Sequence, residues 1–275
     1  MNNSDVILKR TNFDDMNLPP ILYKYRDWEE ETENHKKVLT EKELYFASPA
    51  DFTDKHDCKI PICYDLLTDK EIYEKYFEMS KRDNSRFTQQ QHQEFAIEWQ
   101  KRGLMRDKKH LEEMKKEFSE KFNKDFGILS LTAVPDNYEM WNSEYANFKK
   151  GFCVGFSAKP LFEFSRDFGG SGGKVNYCKD LPIIKGIENP IIQYCLQIYS
   201  KLEKYKDEKE YRIAKGNIQN RKVKIPSEIF AEIIIGEKMP AEIQNEIIKL
   251  AKKDFPNVTI SKASFNNNKV KINKI

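Results

Sequence analysis

Hydrophobic and polar positions divide the chain into two kinds of pattern. Up to residue 67 and again from residue 126, short apolar runs of strand length alternate with turn-forming residues. From 68 to 124, apolar residues recur at helical spacing, and Gln, Lys and Glu occupy the positions between them. The pattern therefore predicts an α+β core domain formed by residues 1–67 and 126–275, with a helical insertion at 68–125.

The central unit of the predicted core runs from 126 to 156. Its pattern predicts a strand at 127–132, a short helix that carries Trp141 and Tyr145, and a second strand at 151–156. About thirty residues is the size of a βαβ crossover or a helix-linked strand pair. The spacing of Trp141 and Tyr145, one helical turn apart, is typical of a buried apolar face.

Further apolar runs predict the rest of a mixed or antiparallel sheet. Strands are expected at 21–26, 43–47, 175–178, 210–214, 232–236, 258–260 and 269–272, and helices at 190–204 and from about 240. The glycine-rich segment 169–174 is similar to a phosphate-binding loop, but Phe168 replaces its first glycine and Val175 its Ser or Thr. We therefore expect a flexible loop there.

Composition and charge narrow the class of protein. The 275 residues are 39% hydrophobic and 33% charged, and the mean hydropathy is −0.76, which describes a folded chain with a strongly solvated surface. A formal charge of +3 gives no electrostatic indication of a nucleic-acid or membrane partner. No apolar run reaches membrane-spanning length and the first residues lack a secretion signal, so we expect a cytoplasmic protein.

Cysteines and carboxylates are the candidate metal ligands of this chain. The five cysteines form no CxxC pair and are odd in number, which favours reduced thiols. The loop at 48–57 contains Asp51, Asp54 and Asp57, whose oxygens suit Mg²⁺. Carboxylates that stabilise turns are the ordinary explanation of such a loop.

Four blocks of sequence resemble a family of uncharacterised bacterial proteins, domain of unknown function 2971. In the Asp-rich loop, residues 53–57 read Thr-Asp-Lys-His-Asp where that family usually has Asn-Asp-Pro-Phe-Asp. The resemblance covers nearly the whole chain outside the helical insertion. The blocks are 22–26, 44–54, the strand 129–132 with Met140, Trp141, Tyr145, Gly151, Gly155 and Phe156, and 208–212.

The order of three motifs is similar to that of ADP-ribosyltransferases, which split the nicotinamide–ribose bond of NAD. These motifs are Arg26, Ser130-Leu131-Thr132 and Glu208-Lys209-Glu210. By this resemblance Glu210 would stabilise the oxocarbenium ion, Glu208 would orient the accepting nucleophile, and Ser130 would support the carboxylate. The resemblance also leads us to expect transfer of ADP-ribose to an acceptor, in a toxin or phage-defence role.

The same resemblance assigns NAD as substrate and suggests which residues bind it. Arg26 would bind the pyrophosphate through charge-assisted hydrogen bonds, and an aromatic ring would stack on nicotinamide. An ordinary structural role is the alternative for each residue, since a Glu-Lys-Glu-Tyr-Arg run is typical of a solvated strand edge. The candidate binding residues are Tyr23, Tyr25, Arg26, Tyr45, Thr132, Trp141 and Tyr145.

Two other functions remain open from the sequence. A metal-dependent nuclease or hydrolase would use Asp51, Asp54 and Asp57, together with the Asp-x-Lys pattern at 207–209. A non-enzymatic binding or sensor module would use the helical insertion to contact a partner. A binding module predicts that Arg26, Ser130 and Glu210 do not converge in space. The enzyme hypotheses predict that these three residues, or the three aspartates with Glu208, line one cleft.

Overall fold

The computed structural model describes residues 16–29 and 33–275. Its strands are β1 (Ile21–Arg26), β2 (Glu43–Tyr45), β3 (Gly127–Thr132), β4 (Phe152–Ser157), β5 (Ser171–Lys174), β6 (Asn176–Cys178), β7 (Ser200–Leu202), β8 (Glu210–Lys215), β9 (Lys222–Lys224), β10 (Phe230–Ile235), β11 (Thr259–Asn266) and β12 (Lys269–Lys274). The helices are α1 (Glu33–Thr40), α2 (Asp69–Asp83), α3 (Gln89–Lys101), α4 (Lys108–Asp125), α5 (Tyr138–Trp141), α6 (Ala158–Asp167), α7 (Pro190–Tyr199) and α8 (Ala241–Asp254).

Eight strands form one mixed sheet in the order β12-β11-β10-β4-β1-β3-β8-β5. The pair β10 and β11 is parallel and is connected through α8, while the other neighbours are antiparallel. Shorter ladders join β2 to β9 and β6 to β7. The predicted fold class, α+β with a mixed sheet, is confirmed.

The sheet divides between β1 and β3. β1 is paired with β4 at every position from Ile21 to Arg26, but with β3 only where Tyr23 faces Thr132. Beyond that pair the two strands separate, so β3, β8 and β5 form a group joined to the rest at one point. The separation leaves room for the Lys24 side chain of β1 to reach the Ser130 carbonyl of β3.

The central unit forms, but its two strands are not neighbours. β1 lies between β3 and β4 and is antiparallel to both, so the unit is a crossover over one strand. The expected shared apolar face of Trp141 and Tyr145 is wrong, because α5 ends at Trp141 and the Ser143 side chain starts a new turn at Glu144–Ala146. Trp141 is fully buried, whereas Tyr145 is 57% exposed.

The glycine-rich segment is a strand, not the flexible loop expected from the sequence. β5 pairs with β8, and its glycines allow close packing against two aromatic rings. A Cβ at Gly172 would lie 2.5 Å from the Phe162 ring, and one at Gly173 would lie 3.3 Å from Tyr199. Gly172 and Gly173 therefore allow the backbone to pack against the two rings, and they do not form a phosphate-binding loop.

Three helices, α2, α3 and α4, occupy the predicted insertion. Thr68 and Thr88 each cap a helix through a capping box, and Gly103 separates α3 from α4 in the left-handed conformation, with φ of 71°. The apolar faces do not form a separate core, because they pack against segments of the α+β region. This shared cluster includes Ile72, Tyr76, Leu111, Ile60, Ile62, Ile184 and Leu196.

Membrane-spanning helices and cysteine thiols were both considered in the sequence, and the structure describes each. Within residues 16–29 and 33–275, no helix combines the length and apolar character needed to cross a membrane. All five cysteines are free thiols, and Cys58 and Cys153 are buried.

Candidate functional site

Glu210 and Arg212 lie on the same face at the start of β8 and form a two-pronged ion pair. The Arg212 guanidinium donates from Nε to Glu210 Oε1 at 2.7 Å and from Nη2 to Oε2 at 3.0 Å. Arg212 is fully buried and Glu210 is 5% exposed. Buried ions of this kind need complete pairing, because each has lost its hydration.

Other groups complete the pairing of Arg212. Its Nη2 donates to Asp57 Oδ2 at 2.8 Å, and its Nη1 donates to the Ile198 carbonyl at 2.7 Å and contacts the Cys58 sulfur at 3.2 Å. Asp57 comes from the Asp-rich loop and Ile198 from α7. Arg212 therefore joins three segments that are distant in sequence.

Lys201 on β7 connects the remaining carboxylates. Its Nζ lies 2.5 Å from Glu208, 3.0 Å from Glu210 and 3.5 Å from Asp57. The ammonium also lies 5.0 Å from the centre of the Tyr205 ring. The candidate site, which we call the charge cluster, comprises Asp57, Lys201, Glu208, Glu210 and Arg212.

The course of the chain between α7 and β8 brings Glu208 to Glu210. The helix predicted at 190–204 ends at Tyr199, so Lys201 lies on β7, and a 3₁₀ turn then runs through Glu203–Glu208. Lys209 has a φ of 43°, and this left-handed residue reverses the chain between the two carboxylates. The two glutamates therefore meet through a turn, because the strand begins only at Glu210.

Burial and neighbouring charge shift the two glutamate pKa values in opposite directions. Burial alone would raise the pKa of Glu210, but Arg212 and Lys201 outweigh it and hold that pKa at about 2. Burial raises the pKa of Glu208, and Lys201 offsets only part of this rise. Glu210 is therefore held as an anion, and Glu208 binds a proton more tightly than Glu210 does.

The two polar residues of β3 both lie beside the charge cluster. Ser130 faces Arg212 in the β3–β8 register, and its buried hydroxyl forms no hydrogen bond of ordinary geometry in the described structure. It is close enough to Glu210 to help lower the pKa of that carboxyl. Thr132 donates from Oγ to the Glu208 carbonyl at 2.5 Å and so anchors the turn.

Two tyrosines border the cluster. The Glu210 backbone N–H donates to the Tyr177 hydroxyl at 2.8 Å. The pKa of Tyr145 is raised, first by partial burial and then by the nearby Glu208 carboxylate. Because Tyr145 is largely exposed, its ring marks the side from which solvent reaches the cluster.

The aromatic candidates on β1 and α5 lie elsewhere, in a separate apolar cluster. Tyr23 donates to Glu232 at 3.0 Å, and Tyr25 donates to the Val134 carbonyl at 2.9 Å. Tyr25 also meets the Trp141 ring edge-on at 5.1 Å between centres. Tyr45 is partly buried on β2, opposite Lys222. Each of these rings has a structural partner outside the charge cluster.

Arg26 is also separated from the charge cluster. Its guanidinium forms one long hydrogen bond, 3.4 Å to the Tyr25 carbonyl, and Asp27 is the charge that acts on it. The basic group of β1 that approaches the cluster is Lys24. Its Nζ donates to the Ser130 carbonyl at 2.7 Å, across the separation between β1 and β3.

The three aspartates of the loop have different partners. Asp51 accepts from the Ser48 N–H at 3.0 Å and closes its own turn, while Asp54 accepts from the His56 N–H at 2.7 Å and from the Tyr205 hydroxyl. Only Asp57 joins the charge cluster. Within the described parts of the chain, no group of three His, Cys, Asp or Glu residues is arranged to hold a metal ion.

A small depression borders the cluster on the side of the Asp-rich loop. It encloses about 160 Å³, and that figure includes space open to solvent. A dinucleotide therefore does not fit there. Its lining residues are Asp54, His56, Asp57, Leu181, Lys201, Leu202 and Tyr205.

Sequence reasoning missed Lys24, Lys201 and Arg212. Arg212 had a detectable signal, because Glu210 and Arg212 alternate with the apolar Tyr211 and Ile213 in a predicted strand. Lys201 had no such signal in the sequence, because it reaches the cluster only when α7 ends at Tyr199 and β7 follows. Lys24 contacts Ser130 because β1 and β3 separate, and the sequence does not show this separation.

Comparison with known proteins gives one match. The model of a family described as protein of unknown function (DUF2971) matches residues 140–213, a segment that contains four of the five cluster residues. This confirms the resemblance over the segment from α5 to β8. Searches of curated proteins and of solved structures found no match.

Proposed function

We propose that this chain is an ADP-ribosyltransferase-like enzyme that cleaves the nicotinamide–ribose bond of NAD and transfers ADP-ribose to an acceptor. One observation carries the proposal. Glu208 and Glu210 share the Lys201 ammonium, yet their pKa values are shifted in opposite directions. Paired carboxylates with different proton affinities suit glycosidic bond chemistry, in which one remains charged and the other moves a proton.

Glu210 supplies the fixed charge. When the bond between nicotinamide nitrogen and ribose C1 breaks, its electron pair leaves with nicotinamide, and positive charge develops on the ribose. An ionised carboxylate that is already oriented stabilises this oxocarbenium ion without reorganisation during the reaction. The bonds from Arg212 and Lys201 hold Glu210 in that orientation. Ser130, with its unused hydroxyl, supports the same carboxylate.

Glu208 acts on the acceptor. It is more exposed than Glu210, with 21% of its side chain accessible against 6%. Its raised pKa makes it the better proton acceptor of the two. As the acceptor oxygen or nitrogen bonds to ribose C1, its proton passes to Glu208. Tyr145, at the accessible side of the cluster, supplies an aromatic surface for the substrate.

The test is nicotinamide release from NAD by purified protein, comparing wild type with Glu210→Gln. We expect release to fall by at least about a hundredfold, because glutamine keeps the shape and removes the charge. Glu203→Gln is the matched control, since Glu203 lies on the same 3₁₀ turn and forms an ion pair with Lys206 at 3.8 Å, outside the charge cluster. Absence of NAD binding and turnover in the wild type would overturn the proposal.

We also propose that the activity serves a toxin or phage-defence role, in keeping with the family resemblance. Loss of NAD or modification of an acceptor would then slow the growth of producing cells. Induced expression of the wild type should arrest bacterial growth, and Glu210→Gln should relieve the arrest at equal protein level. Equal growth with both proteins would contradict this role.

A further inference from the structure

Gln197, on α7, binds the backbone of Ile60 with both ends of its side-chain amide. Its Nε2 donates to the Ile60 carbonyl at 2.6 Å, and its Oε1 accepts from the Ile60 N–H at 2.9 Å. Gln197 is 2% exposed and Ile60 is 4% exposed. Because both residues are buried, loss of either bond would leave a polar group unpaired until the chain rearranges.

The two segments that this amide joins also meet at Arg212. Ile60 lies three residues after Asp57, whose Oδ2 accepts from Arg212 at 2.8 Å. Gln197 directly precedes Ile198, whose carbonyl accepts from the same guanidinium at 2.7 Å. The amide therefore lies close to the point at which α7 and the Asp-rich loop converge on the charge cluster.

The two hydrogen bonds fix where the loop segment lies along α7. Ile60 and Leu196 also pack in one apolar cluster, but apolar contacts have no direction and permit sliding. A shift of about 1 Å would stretch both amide bonds beyond ordinary length. Between Asp57 and Ile60 the chain turns at Cys58, which has a left-handed φ of 57°. The position of Ile60 therefore sets how far Asp57 reaches towards the cluster.

We propose that Gln197 is a positioning residue of the charge cluster, which holds Asp57 against Arg212 and Lys201 by fixing Ile60 to α7. Three carboxylates and two cations make up the cluster, and Asp57 is the carboxylate that the Ile60 segment carries. An effect of Gln197 on nicotinamide release rests on the proposed function. An effect on the titration of the cluster does not.

The charge of Asp57 reaches Glu208, which shares the Lys201 ammonium with it. Burial raises the pKa of Glu208 most, Lys201 lowers it, and Glu210 and Asp57 raise it further. Withdrawal of Asp57 should therefore lower the Glu208 pKa. Two further titratable groups face this carboxyl, the phenols of Tyr145 and Tyr177.

NMR titration of the Glu208 side-chain carboxyl tests the positioning role. Gln197→Met keeps the length of the side chain and removes the amide, so the Glu208 pKa should be lower than in wild type. Asp57→Asn should lower it as well. In the double variant the two effects should not add, because Gln197 acts through Asp57. An unchanged Glu208 pKa in Gln197→Met, or additive effects in the double variant, would overturn the proposal.

Gln193→Met is the matched control for this titration. Gln193 is a second buried glutamine of α7, and its amide donates to the Glu188 carbonyl at 2.7 Å, away from the Asp57 segment. The Glu208 pKa should therefore be the same in Gln193→Met as in wild type. An equal shift in both glutamine variants would overturn the proposal, because it would show a general response of α7.

Hydrogen exchange tests the same coupling even if Gln197→Met fails to fold. Coupling between two contacts is reciprocal, so Asp57→Asn should loosen the bonds between Gln197 and Ile60. The Ile60 N–H should exchange at least about threefold faster in Asp57→Asn than in wild type, relative to the Ile233 N–H of β10 in the main core. Equal relative exchange in the two proteins would contradict the positioning role.

Nicotinamide release measures the effect of Gln197 on the proposed reaction. Gln197→Met should lower kcat by about tenfold and leave KM for NAD within about twofold, since misplaced groups cost rate more than binding. A shifted Glu208 pKa in a chain that releases no nicotinamide would retain the positioning role and remove the transferase. Equal release by wild type and Gln197→Met, with an unshifted pKa, would retain the transferase and remove the positioning role.

Discussion

The helical insertion and the start of β8 contain the same kinds of charged residue in opposite surroundings. On α2 and α3 the ions pair at the surface one helical turn apart, as Lys70 does with Glu74 at 3.8 Å and Arg102 with Glu98 at 2.6 Å. In the charge cluster, five ions share buried contacts across four segments. Exposed pairs contribute roughly 0–1 kcal/mol to stability, whereas breaking a buried pair leaves an uncompensated charge.

The exposed and the buried ion pairs are expected to have different roles. Surface pairs of the insertion keep a helical face hydrated and are replaceable. The buried cluster places two carboxylates of different pKa beside an unused serine hydroxyl, and stability alone does not require such an arrangement, since apolar residues pack as well. The cluster is therefore where a substitution should affect both folding and chemistry.

The largest effect is expected from Arg212→Met. It leaves Glu210 and Asp57 buried without their guanidinium and should lower the free energy of unfolding by about 3–5 kcal/mol. Lys70→Met, in the insertion, should change it by less than about 0.5 kcal/mol. Urea denaturation of both variants measures the contrast. Similar losses in the two proteins would remove the distinction between the regions.

The pH dependence of stability measures the contribution of ionised Glu210 to the free energy of unfolding. Its pKa is about 2 in the folded protein and near 4.5 when unfolded, so its contribution is complete above about pH 4.5 and is lost as the pH falls towards 2. The shift corresponds to about 3 kcal/mol. Denaturation across this range should show a flatter profile for Glu210→Gln than for wild type. Parallel profiles would show that Glu210 is not held as an anion.

Gly→Ala substitutions at two positions compare backbone packing in the core with that in the insertion. A Cβ at Gly151, beside β4, would lie 2.2 Å from the Arg26 carbonyl oxygen, so Gly151→Ala should destabilise by about 2–3 kcal/mol. At Gly103, in the insertion, a Cβ meets nothing within 4 Å, and only its φ of 71° opposes alanine, at about 1 kcal/mol. Thermal unfolding should rank the two variants in this order. A larger loss for Gly103→Ala would contradict the packing described.

A smaller effect than that of Gly151→Ala is expected at the buried polar pair of the insertion. Ser80 Oγ and His92 Nδ1 lie 2.8 Å apart, and both residues are buried between α2 and α3. Ser80→Ala should lower the free energy of unfolding by about 1–2 kcal/mol, because it leaves the imidazole nitrogen without a partner. The exposed Ser119→Ala is the control and should remain within about 0.5 kcal/mol of wild type. A neutral Ser80→Ala would show that the hydrogen bond is dispensable.

Strands with strong apolar or aromatic patterns were predictable from sequence. β1 was predicted with its observed bounds, β3 likewise, and β8 to within one residue, because their runs are bounded by clear turn signals. β5 was missed because Ser-Gly-Gly-Lys has no strand propensity of its own. The Phe162 and Tyr199 rings and the ladder to β8 determine its conformation instead.

The site was only partly accessible to sequence reasoning. Ser130, Thr132, Glu208 and Glu210 were predicted together and do lie together. Asp57 was considered as a metal ligand and is found beside Arg212, because the fold of its loop decides which of three aspartates turns inward. Arg26 was predicted and Lys24 was missed, although both lie on the same side of β1, because only the separation of β1 from β3 brings the Lys24 ammonium to Ser130.

Glu208→Gln tests the central claim, that the charge cluster performs chemistry, most directly. Lys201 keeps Glu210 and Asp57 as partners in this variant, so the free energy of unfolding should change by no more than about 1 kcal/mol. Nicotinamide release from NAD and stability should be measured on the same preparation. The account predicts that nicotinamide release is lost while stability is retained. Full release in a destabilised protein would contradict it and leave the cluster a structural element.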